Sequence, residues 1–415
     1  MPLPSRPGTT SANANGPREL FPRTRAERVT LARQQFFDEG VRPSGLVGEA
    51  VLQSWMRCSR AHGDLKRPVA FDAVTPSRLH ATLNRNQALL DAARTELQSM
   101  ENALAGTDAR VLLTDAHGVI VHATHHAMAA AQPVLSRTAR VGVNIAEGMV
   151  GTTAPGIVAC TGQSVTVNGA EHYFSVLHEM HCAAAPIRDV HGQLAGVLDV
   201  SVEARPFSFG AAQLVALYAT TIENRLLVVQ SPDRLLLRFQ ASAALLGTPL
   251  EALAAVGPDG CIAWLNGAAE RLIGRLPKGA PRSVLQVFGM ELSELLRMTR
   301  CDAAEPVRLA SGLGVWMQVR LQARDGVDFA HAVGLSKAVV DIQAPDSGCA
   351  EECSATAPTP PTAKDSSLVS HSRKLIEDTL AAHGGNISQA ARQLRVSRGT
   401  LYRRLKRWQL ESSTS

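Results

Sequence analysis

A cluster of basic side chains near the end of the sequence has the residue types and spacing needed to hold a polyanion. Arg398, Arg403, Arg404, Lys406 and Arg407 fall within ten residues of one another. Guanidinium and ammonium groups neutralise phosphates, and an arginine can also donate two hydrogen bonds to the edge of a guanine. The cluster therefore indicates a surface for double-stranded DNA.

Helical periodicity predicts the three elements that would present this surface. In the third helix Leu401 and Leu405 are four residues apart and would pack inward. Asn386 and Ser397 are favourable N-caps for the second and third helices. The first two helices each have one apolar face, formed by Leu375, Ile376, Thr379 and Leu380 and by Ile387, Ala390, Ala391 and Leu394. A small core would thus carry a basic outer surface.

The distribution of charge supports a DNA-binding segment. Residues 371–408 contain nine cationic and two anionic side chains, a net charge of +7, whereas the whole chain carries only +5. The rest of the chain therefore sums to about −2. A solvated face or a membrane-surface helix is the alternative, but two capped helices at this spacing favour a helix-turn-helix.

The same segment resembles the Fis-type helix-turn-helix found at the end of sigma-54-dependent activators. The resemblance lies in residues 385–391 (Gly-Asn-Ile-Ser-Gln-Ala-Ala) and 397–401 (Ser-Arg-Gly-Thr-Leu), with Arg395 where that family often has Gly. It implies that Arg398 and Arg403 read bases and that Arg404, Lys406 and Arg407 contact phosphates. The full set of expected DNA-binding residues is Ser397, Arg398, Thr400, Tyr402, Arg403, Arg404, Lys406 and Arg407.

A second group of candidate residues lies in the middle of the chain. It comprises the closely spaced side chains of His172, Tyr173, Phe174, His178, His181 and Cys182. His and Cys can bind zinc, iron or haem, but no carboxylate-rich or paired-cysteine frame accompanies them. We therefore predict an organic ligand here, with no metal and no cofactor, and no catalytic residue anywhere in the chain.

The surrounding sequence predicts a small α+β sensor. Residues 110–114 and 119–123 read as a hairpin around an Asp-Ala-His-Gly turn. Further strands are expected at 164–167, 183–187 and 194–202. An amphipathic helix over 211–229 would cover one face of the sheet or pair with its equivalent in a second subunit.

This region resembles the GAF domain of acetoin-catabolism-type regulators. The matching strings are residues 151–156 (Gly-Thr-Thr-Ala-Pro-Gly), 169–173 (Gly-Ala-Glu-His-Tyr), 182–187 (Cys-Ala-Ala-Ala-Pro-Ile) and 196–199 (Gly-Val-Leu-Asp). Residues 54–58 (Ser-Trp-Met-Arg-Cys) are similar to the helical lead-in of the same group. The resemblance implies a receptor for a diffusible small molecule, held between the sheet and the loops of residues 145–180.

A third region resembles a PAS domain. Strands are predicted at 253–256 and 261–265, followed by a helix that Asn266 caps and that runs to Ile273. Apolar stretches at 314–321 and 329–340 could complete an antiparallel sheet. Two hypotheses stay open: a second ligand pocket, or a unit that only mediates dimer contact.

Composition sets the outer limits of these predictions. The chain has 415 residues, 45% hydrophobic and 19% charged, with no uninterrupted apolar run of membrane-spanning length. We predict an α+β multidomain protein in which GAF-like and PAS-like antiparallel-sheet sensor domains precede an all-α helix-turn-helix. Its seven cysteines are expected to be reduced thiols. The predicted divisions are a disordered tail (1–25), a helical lead-in (26–105), the GAF-like domain (106–230), the PAS-like domain (235–343), a flexible linker (344–368) and the helix-turn-helix (369–411).

The sequence has no Gly-rich phosphate loop ending in Gly-Lys-Ser/Thr, the string that an ATPase domain of sigma-54 activators needs. We therefore expect a cytoplasmic, dimeric, ligand-responsive transcription regulator that is not an enzyme and does not remodel sigma-54 polymerase by itself. Its expected partners are double-stranded DNA, a small-molecule effector, a second copy of the chain and RNA polymerase, with no membrane. The alternatives are a nucleoid-type architectural protein, which would bend DNA without sequence preference, and a sensor with an unrecognised enzymatic activity.

Overall fold

The computed structural model describes residues 24–124, 132–274 and 282–322, together with scattered positions between 376 and 394. Two α+β units follow one another along the three long ranges, and each is built on a five-stranded antiparallel sheet. None of the helices in these ranges is both long and apolar enough to cross a membrane.

Within residues 24–109, four α-helices precede the first sheet. They are α1 (Arg25–Arg33), α2 (Glu49–Ala61), α3 (Pro76–Arg85) and α4 (Gln87–Ala103). The Thr24 side chain accepts a hydrogen bond from the backbone of Glu27, whose carboxylate accepts one from the Thr24 backbone in return. The Thr75 side chain accepts a hydrogen bond from the backbone N–H of Arg78 at the start of α3, and Pro76, which follows it, has no N–H to leave unpaired. Local sequence therefore fixes where these two helices begin.

The first sheet has the strand order β2-β1-β5-β4-β3. Its strands are β1 (Arg110–Asp115), β2 (Ile120–Ala123), β3 (Val165–Asn168), β4 (Met180–Arg188) and β5 (Leu194–Glu203). Residues 132–164, which lie between β2 and β3, contain three short α-helices: α5 (Pro133–Thr138), α6 (Glu147–Val150) and α7 (Ala154–Thr161). A long helix, α8 (Ala211–Val229), follows β5. The predicted hairpin, the later strands and the terminal helix are confirmed.

Helices cover both faces of this sheet. On one face α4 and α8 contribute Leu97, Met100, Val215 and Ile222 to a core with Leu198. On the other face α2 contributes Leu52 and Trp55 to a core with Leu112, Ile157 and Val197. The predicted lead-in and GAF-like ranges therefore share both of their hydrophobic cores.

The second sheet has the strand order β8-β7-β6-β10-β9. Its strands are β6 (Arg234–Gln240), β7 (Ala252–Val256), β8 (Ile262–Leu265), β9 (Glu305–Arg308) and β10 (Gly314–Gln322). Between β8 and β9 lie α9 (Gly267–Ile273), α10 (Val284–Phe288) and α11 (Leu292–Met298), which pack on one face of the sheet. On the opposite face Leu236, Leu253 and Trp264 pack against Leu227 of α8. The two units thus share a small apolar interface.

Candidate ligand-binding site

A buried cavity of about 30 Å³ lies between the first sheet and the segment that connects β2 to β4. Most of its wall is apolar, formed by Phe71, Leu112, Leu135, Ile145, Val150, Pro155, Leu177 and Met180. The polar lining residues are Thr138, Thr153, His172, Cys182, Asp199 and Ser201. Measured in this way, a cavity needs roughly 10 to 15 Å³ to hold one water molecule, so this one has space for about two or three heavy atoms. The cavity can therefore hold only a very small ligand unless its walls move.

Asp199 on β5 is the most unusual group in this wall. It is fully buried, and its Oδ2 lies 2.6 Å from the hydroxyl of Ser201. Its Oδ1 is buried without a hydrogen-bond partner among the described residues. Burial raises the pKa of the Asp199 carboxyl to about 7, because a charged carboxylate is poorly stabilised away from water. A buried acceptor without a donor destabilises the folded state, which points to a ligand that supplies one.

Two further residues extend the polar contact from Ser201 across the sheet. The Ser201 hydroxyl lies 3.1 Å from Cys182 Sγ, which lies 3.6 Å from His172 Nε2. The other ring nitrogen of His172, Nδ1, lies 2.9 Å from the carbonyl oxygen of Gly169. Burial raises the pKa of the Cys182 thiol well above its ordinary value and lowers the pKa of His172 to about 4. At neutral pH the thiol therefore keeps its proton and the imidazole is neutral.

Strand register explains why three of these side chains meet. Cys182 of β4 pairs directly with Ser201 of β5. Because side chains alternate between the faces of a strand, Asp199 and Ser201 lie on the same face, and so does Cys182. The residues that alternate with them along β5, Leu198 and Val200, pack on the opposite face with α8.

The loop that carries His172 is held by the N-terminal helices. Trp55 Nε1 donates a 2.7 Å hydrogen bond to the carbonyl oxygen of Glu171, and Arg25 forms an ion pair with the Glu171 carboxylate. Arg33 donates hydrogen bonds to the carbonyl oxygens of Ala170, His172 and Tyr173. The helical lead-in therefore positions one end of the series of hydrogen-bonded groups that runs from Gly169 through His172, Cys182 and Ser201 to Asp199, called the polar chain below.

One wall of the cavity, the short helix α5, is held by a carboxylate of β5. The Glu203 side chain accepts hydrogen bonds from the backbone N–H groups of Val134 and Leu135 at the beginning of the helix. Leu135 and Thr138 of α5 line the cavity. The strand that presents Asp199 to the cavity thus also fixes the helix that closes it.

Of the six predicted ligand-binding residues, the structure places His172 and Cys182 at the cavity. Tyr173 and Phe174 are buried beside it in an aromatic group with Phe37 and His62. His181 Nδ1 lies 3.2 Å from Asn168 Oδ1, away from the cavity wall. His178 is half-buried, and burial together with the charge of Arg33 lowers its pKa to about 4.

Asp199 and Ser201 were not among the predicted ligand-binding residues, although Asp199 ends one of the strings that resemble the GAF domain. The available indication was an acidic residue in the middle of the apolar stretch Val-Leu-Asp-Val of β5, a pattern that places a carboxyl group in the core. Within the ranges 24–124, 132–274 and 282–322, no three His, Cys, Asp or Glu side chains are grouped so that they could hold a metal ion. The five cysteines in these ranges are free thiols.

All eight predicted DNA-binding residues, from Ser397 to Arg407, lie outside the described residues. Four positions of the two preceding predicted helices are described and are buried: Ile376, Thr379, Ala390 and Leu394. These are among the positions that periodicity placed on the inner faces, so that part of the prediction is confirmed.

Comparison with known families assigns both ends of the chain. Residues 24–220 match the family model of the MimR N-terminal domain, and residues 371–408 match that of the bacterial regulatory protein Fis family. The chain is therefore similar to a MimR N-terminal domain over residues 24–220, called the MimR-type domain below, and to a Fis-family regulatory protein over residues 371–408. The cavity lies entirely within the MimR-type domain.

Three of the curated relatives that the chain matches are named as regulators or transcriptional activators. The acetoin catabolism regulatory protein of Cupriavidus necator is 32% identical over a match that covers 50% of this chain and 32% of the relative. The acetoin dehydrogenase operon transcriptional activator of Bacillus subtilis is 28% identical, over 51% of this chain and 35% of the relative. The propane 2-monooxygenase operon transcriptional activator MimR of Mycolicibacterium smegmatis is 31% identical, over 47% and 32%. The matched part is about a third of each relative's length.

Proposed function

We propose that this protein is a ligand-responsive transcription regulator. It binds a small organic effector in the cavity of the MimR-type domain, and it binds double-stranded DNA through residues 371–408. The observation that carries the sensing half is the Oδ1 atom of Asp199, a buried acceptor without a partner at an apolar cavity. Ligand sites are mostly apolar with a few converging polar groups, and this wall has that composition.

The size and lining of the cavity indicate the class of effector. A volume of about 30 Å³ favours a compact molecule of a few heavy atoms, and the apolar wall favours carbon around a single polar contact. The relatives' names refer to acetoin catabolism and to a propane 2-monooxygenase operon. We propose for this chain an effector of similar kind, a short-chain oxygenated carbon compound.

A route from the cavity to the second unit is formed by β5 and α8. Asp199 and Ser201 face the cavity, while Leu198 and Val200 of the same strand pack against α8 on the other side of the sheet. Beyond the helix, Trp264 Nε1 of the second unit donates a 2.8 Å hydrogen bond to the Ser231 hydroxyl. We propose that a shift of β5 on effector binding reaches the second unit through this packed helix.

We further propose that the second unit is PAS-like and mediates dimer contact, that the protein is a cytoplasmic homodimer without enzymatic activity, and that RNA polymerase is a partner of the DNA-bound form. A single helix-turn-helix reads only a short half-site, so a dimer would double the contacts with DNA. No observation on the described residues favours the architectural or the enzymatic alternative.

The test uses the full chain and measures its two activities separately. Differential scanning fluorimetry with small alcohols, ketones and hydroxyketones should identify a stabilising effector, with a gain of roughly 2.7 kcal/mol at a hundredfold excess over Kd. Duplexes selected from a random library then give an operator, and the Kd for that operator should change when the effector is added.

Paired variants make this test specific. Asp199→Leu should remove the response to the effector. The matched control is Thr114→Val, because the Thr114 hydroxyl is also buried without a partner among the described residues but does not line the cavity. If no compound stabilises the protein, the sensing half of the proposal is wrong; if no duplex binds even at low salt, the DNA-binding half is wrong.

A further inference from the structure

The polar chain from Gly169 to Asp199 has a direction that its first contact determines. The carbonyl oxygen of Gly169 can only accept a hydrogen bond, so the 2.9 Å contact requires a proton on His172 Nδ1. The neutral imidazole carries only one proton, and burial keeps it neutral by lowering the pKa of His172 to about 4. His172 Nε2 is therefore an acceptor.

The following contact then has a single arrangement. Because Nε2 has no proton, the Cys182 thiol donates to it across 3.6 Å. The lone pairs of the sulfur are left to accept a hydrogen bond from the Ser201 hydroxyl, 3.1 Å away. Burial raises the pKa of the thiol, so Cys182 keeps the proton that this arrangement needs.

Counting protons at Ser201 decides the state of Asp199. The hydroxyl has one proton, and once that proton is donated to Cys182, only lone pairs remain to face Asp199 Oδ2 at 2.6 Å. A contact this short then requires the proton to be on Oδ2, with Asp199 neutral. The alternative, in which Ser201 donates to an ionised Asp199, leaves Cys182 Sγ without its donor and a charge buried in an apolar wall.

The surroundings of Asp199 support the neutral form. No Lys or Arg of the described residues forms an ion pair with it, and the titratable groups in the chain beside it are the neutral Cys182 and His172. Burial raises the pKa of Asp199 to about 7, so the protonated carboxyl is populated at and below neutral pH. In every hydrogen bond of the polar chain, the donor then lies on the Asp199 side and the acceptor on the Gly169 side, so none of these protons points into the cavity.

From this arrangement we infer that Asp199 Oδ1 faces the cavity as a carbonyl-type acceptor, so that the site selects a small molecule with a hydroxyl donor over a ketone of the same shape. The inference rests on the proposed function, which supplies the ligand, and adds which atom recognises it and with what polarity. A ketone would set its oxygen against Oδ1 and leave both acceptors buried without a donor.

Two isosteric pairs test this polarity on the full chain: 2-propanol against acetone, and 2-butanol against butanone. Each pair has the same heavy-atom skeleton and differs only in whether the oxygen carries a proton. We expect each alcohol to bind at least about tenfold more tightly than its ketone, as judged from concentration-dependent thermal stabilisation. The Asp199→Leu protein gives the baseline for nonspecific solvent effects.

The Asp199→Asn variant mimics the neutral carboxyl. Ser201 presents lone pairs to this position, so the amide N–H should point to Ser201 and the amide oxygen to the cavity, and the alcohol preference should survive. In the double variant Asp199→Asn, Ser201→Ala nothing holds the amide in that orientation. Its N–H₂ group can then face the cavity, and ketone binding should increase relative to the single variant.

The outcomes separate this inference from the proposed function. If the ketones stabilise the wild-type protein as well as or better than the alcohols, or if Asp199→Asn alone prefers ketones, the inferred polarity is wrong while ligand sensing stands. If no member of either pair and no other compound of the effector screen stabilises the protein, both proposals fail together.

Discussion

The side-chain amide of Asn266 donates a 2.9 Å hydrogen bond to Asn224 Oδ1, and this contact joins the second sheet to helix α8 of the first unit. The same amide donates to the carbonyl oxygen of Glu251, and its Oδ1 accepts from the backbone N–H groups of Leu253 and Ala269. All four hydrogen-bonding positions of Asn266 are therefore occupied in a buried place. Such a fully satisfied group fixes the two units relative to each other at this point.

Replacing Asn266 with Ala should lower the free energy of unfolding by about 2 to 4 kcal/mol, because α9 loses its N-cap and Asn224 and Leu253 lose buried partners. Chemical denaturation of the full chain measures this. Asn102→Ala is the matched control, since Asn102 is exposed on α4 and its side chain accepts a hydrogen bond from the neighbouring exposed side chain of Gln98. Equal stabilities of the two variants would contradict the structural role of Asn266.

A second prediction concerns the loop that carries His172. Trp55→Phe keeps an aromatic ring beside Phe36 and Phe37 but removes the indole N–H that donates to Glu171. The variant should be destabilised by about 1 to 3 kcal/mol, and its effector affinity should fall because His172 follows Glu171 directly.

Trp316→Phe controls for the loss of an indole, because Trp316 is 39% exposed on β10 of the second unit. This variant should change neither the free energy of unfolding nor the free energy of effector binding by more than about 0.5 kcal/mol. Loss of stability in Trp55→Phe with unchanged effector affinity would show that this hydrogen bond supports the core without positioning the cavity loop.

The strands that the sequence predicted well are those with a turn at one end. The Asp115 carboxylate accepts hydrogen bonds from the backbone of His117 and Val119, and Gly118 adopts the positive φ of +81° that the turn requires. These contacts join residues within five positions of one another, so a short stretch of sequence is enough to predict the turn. Strand β6 was not predicted. Its residues Leu235, Leu236 and Leu237 are all buried because both faces of the strand are covered. Such a run lacks the alternation of apolar and polar residues that distinguishes a strand from a helix.

The candidate site was predicted only in part for a different reason. His172 and Cys182 attracted attention by residue type, whereas Asp199 and Ser201 acquire their role from the register that pairs Ser201 with Cys182. Periodicity indicates which face of a strand is buried but not which residue of a neighbouring strand lies opposite. Contacts such as that between Arg25 and Glu171, 146 residues apart, are equally invisible before the chain is folded.

The pH dependence of stability should report the buried carboxyl. Burial raises the pKa of Asp199 to about 7, so between about pH 4 and 7 the folded protein holds a proton that the unfolded chain releases. In the wild-type protein, the contribution of Asp199 to the free energy of unfolding therefore falls as the pH rises from about 4 to 7. Relative to wild type, Asp199→Asn should gain up to roughly 1.4 kcal/mol for each pH unit there, and the difference should be constant above about pH 7.

Denaturation of both proteins from pH 4.5 to 8.5 measures this difference. The lowered pKa of His172 makes stability rise with pH between about 4 and 6.5, but it does so in both proteins and cancels in the comparison. A difference that stays flat across the whole range would mean that Asp199 is ionised in the folded protein.

The last prediction separates base reading from phosphate contact in the predicted third helix of residues 371–408. Arg403→Ala should weaken binding to the selected operator by about 1 to 3 kcal/mol and relax the sequence preference of the protein, because an arginine that donates to a base edge distinguishes one base from another.

Lys406→Ala should weaken binding to all duplexes alike and reduce the slope of log Kd against log salt concentration by about one, because a phosphate contact releases one counterion. Fluorescence anisotropy with the operator and a scrambled duplex at several salt concentrations measures both effects. If the two variants lose the same affinity on both duplexes with the same salt slope, both side chains contact phosphate, and base reading must come from Arg398 or another residue of the helix.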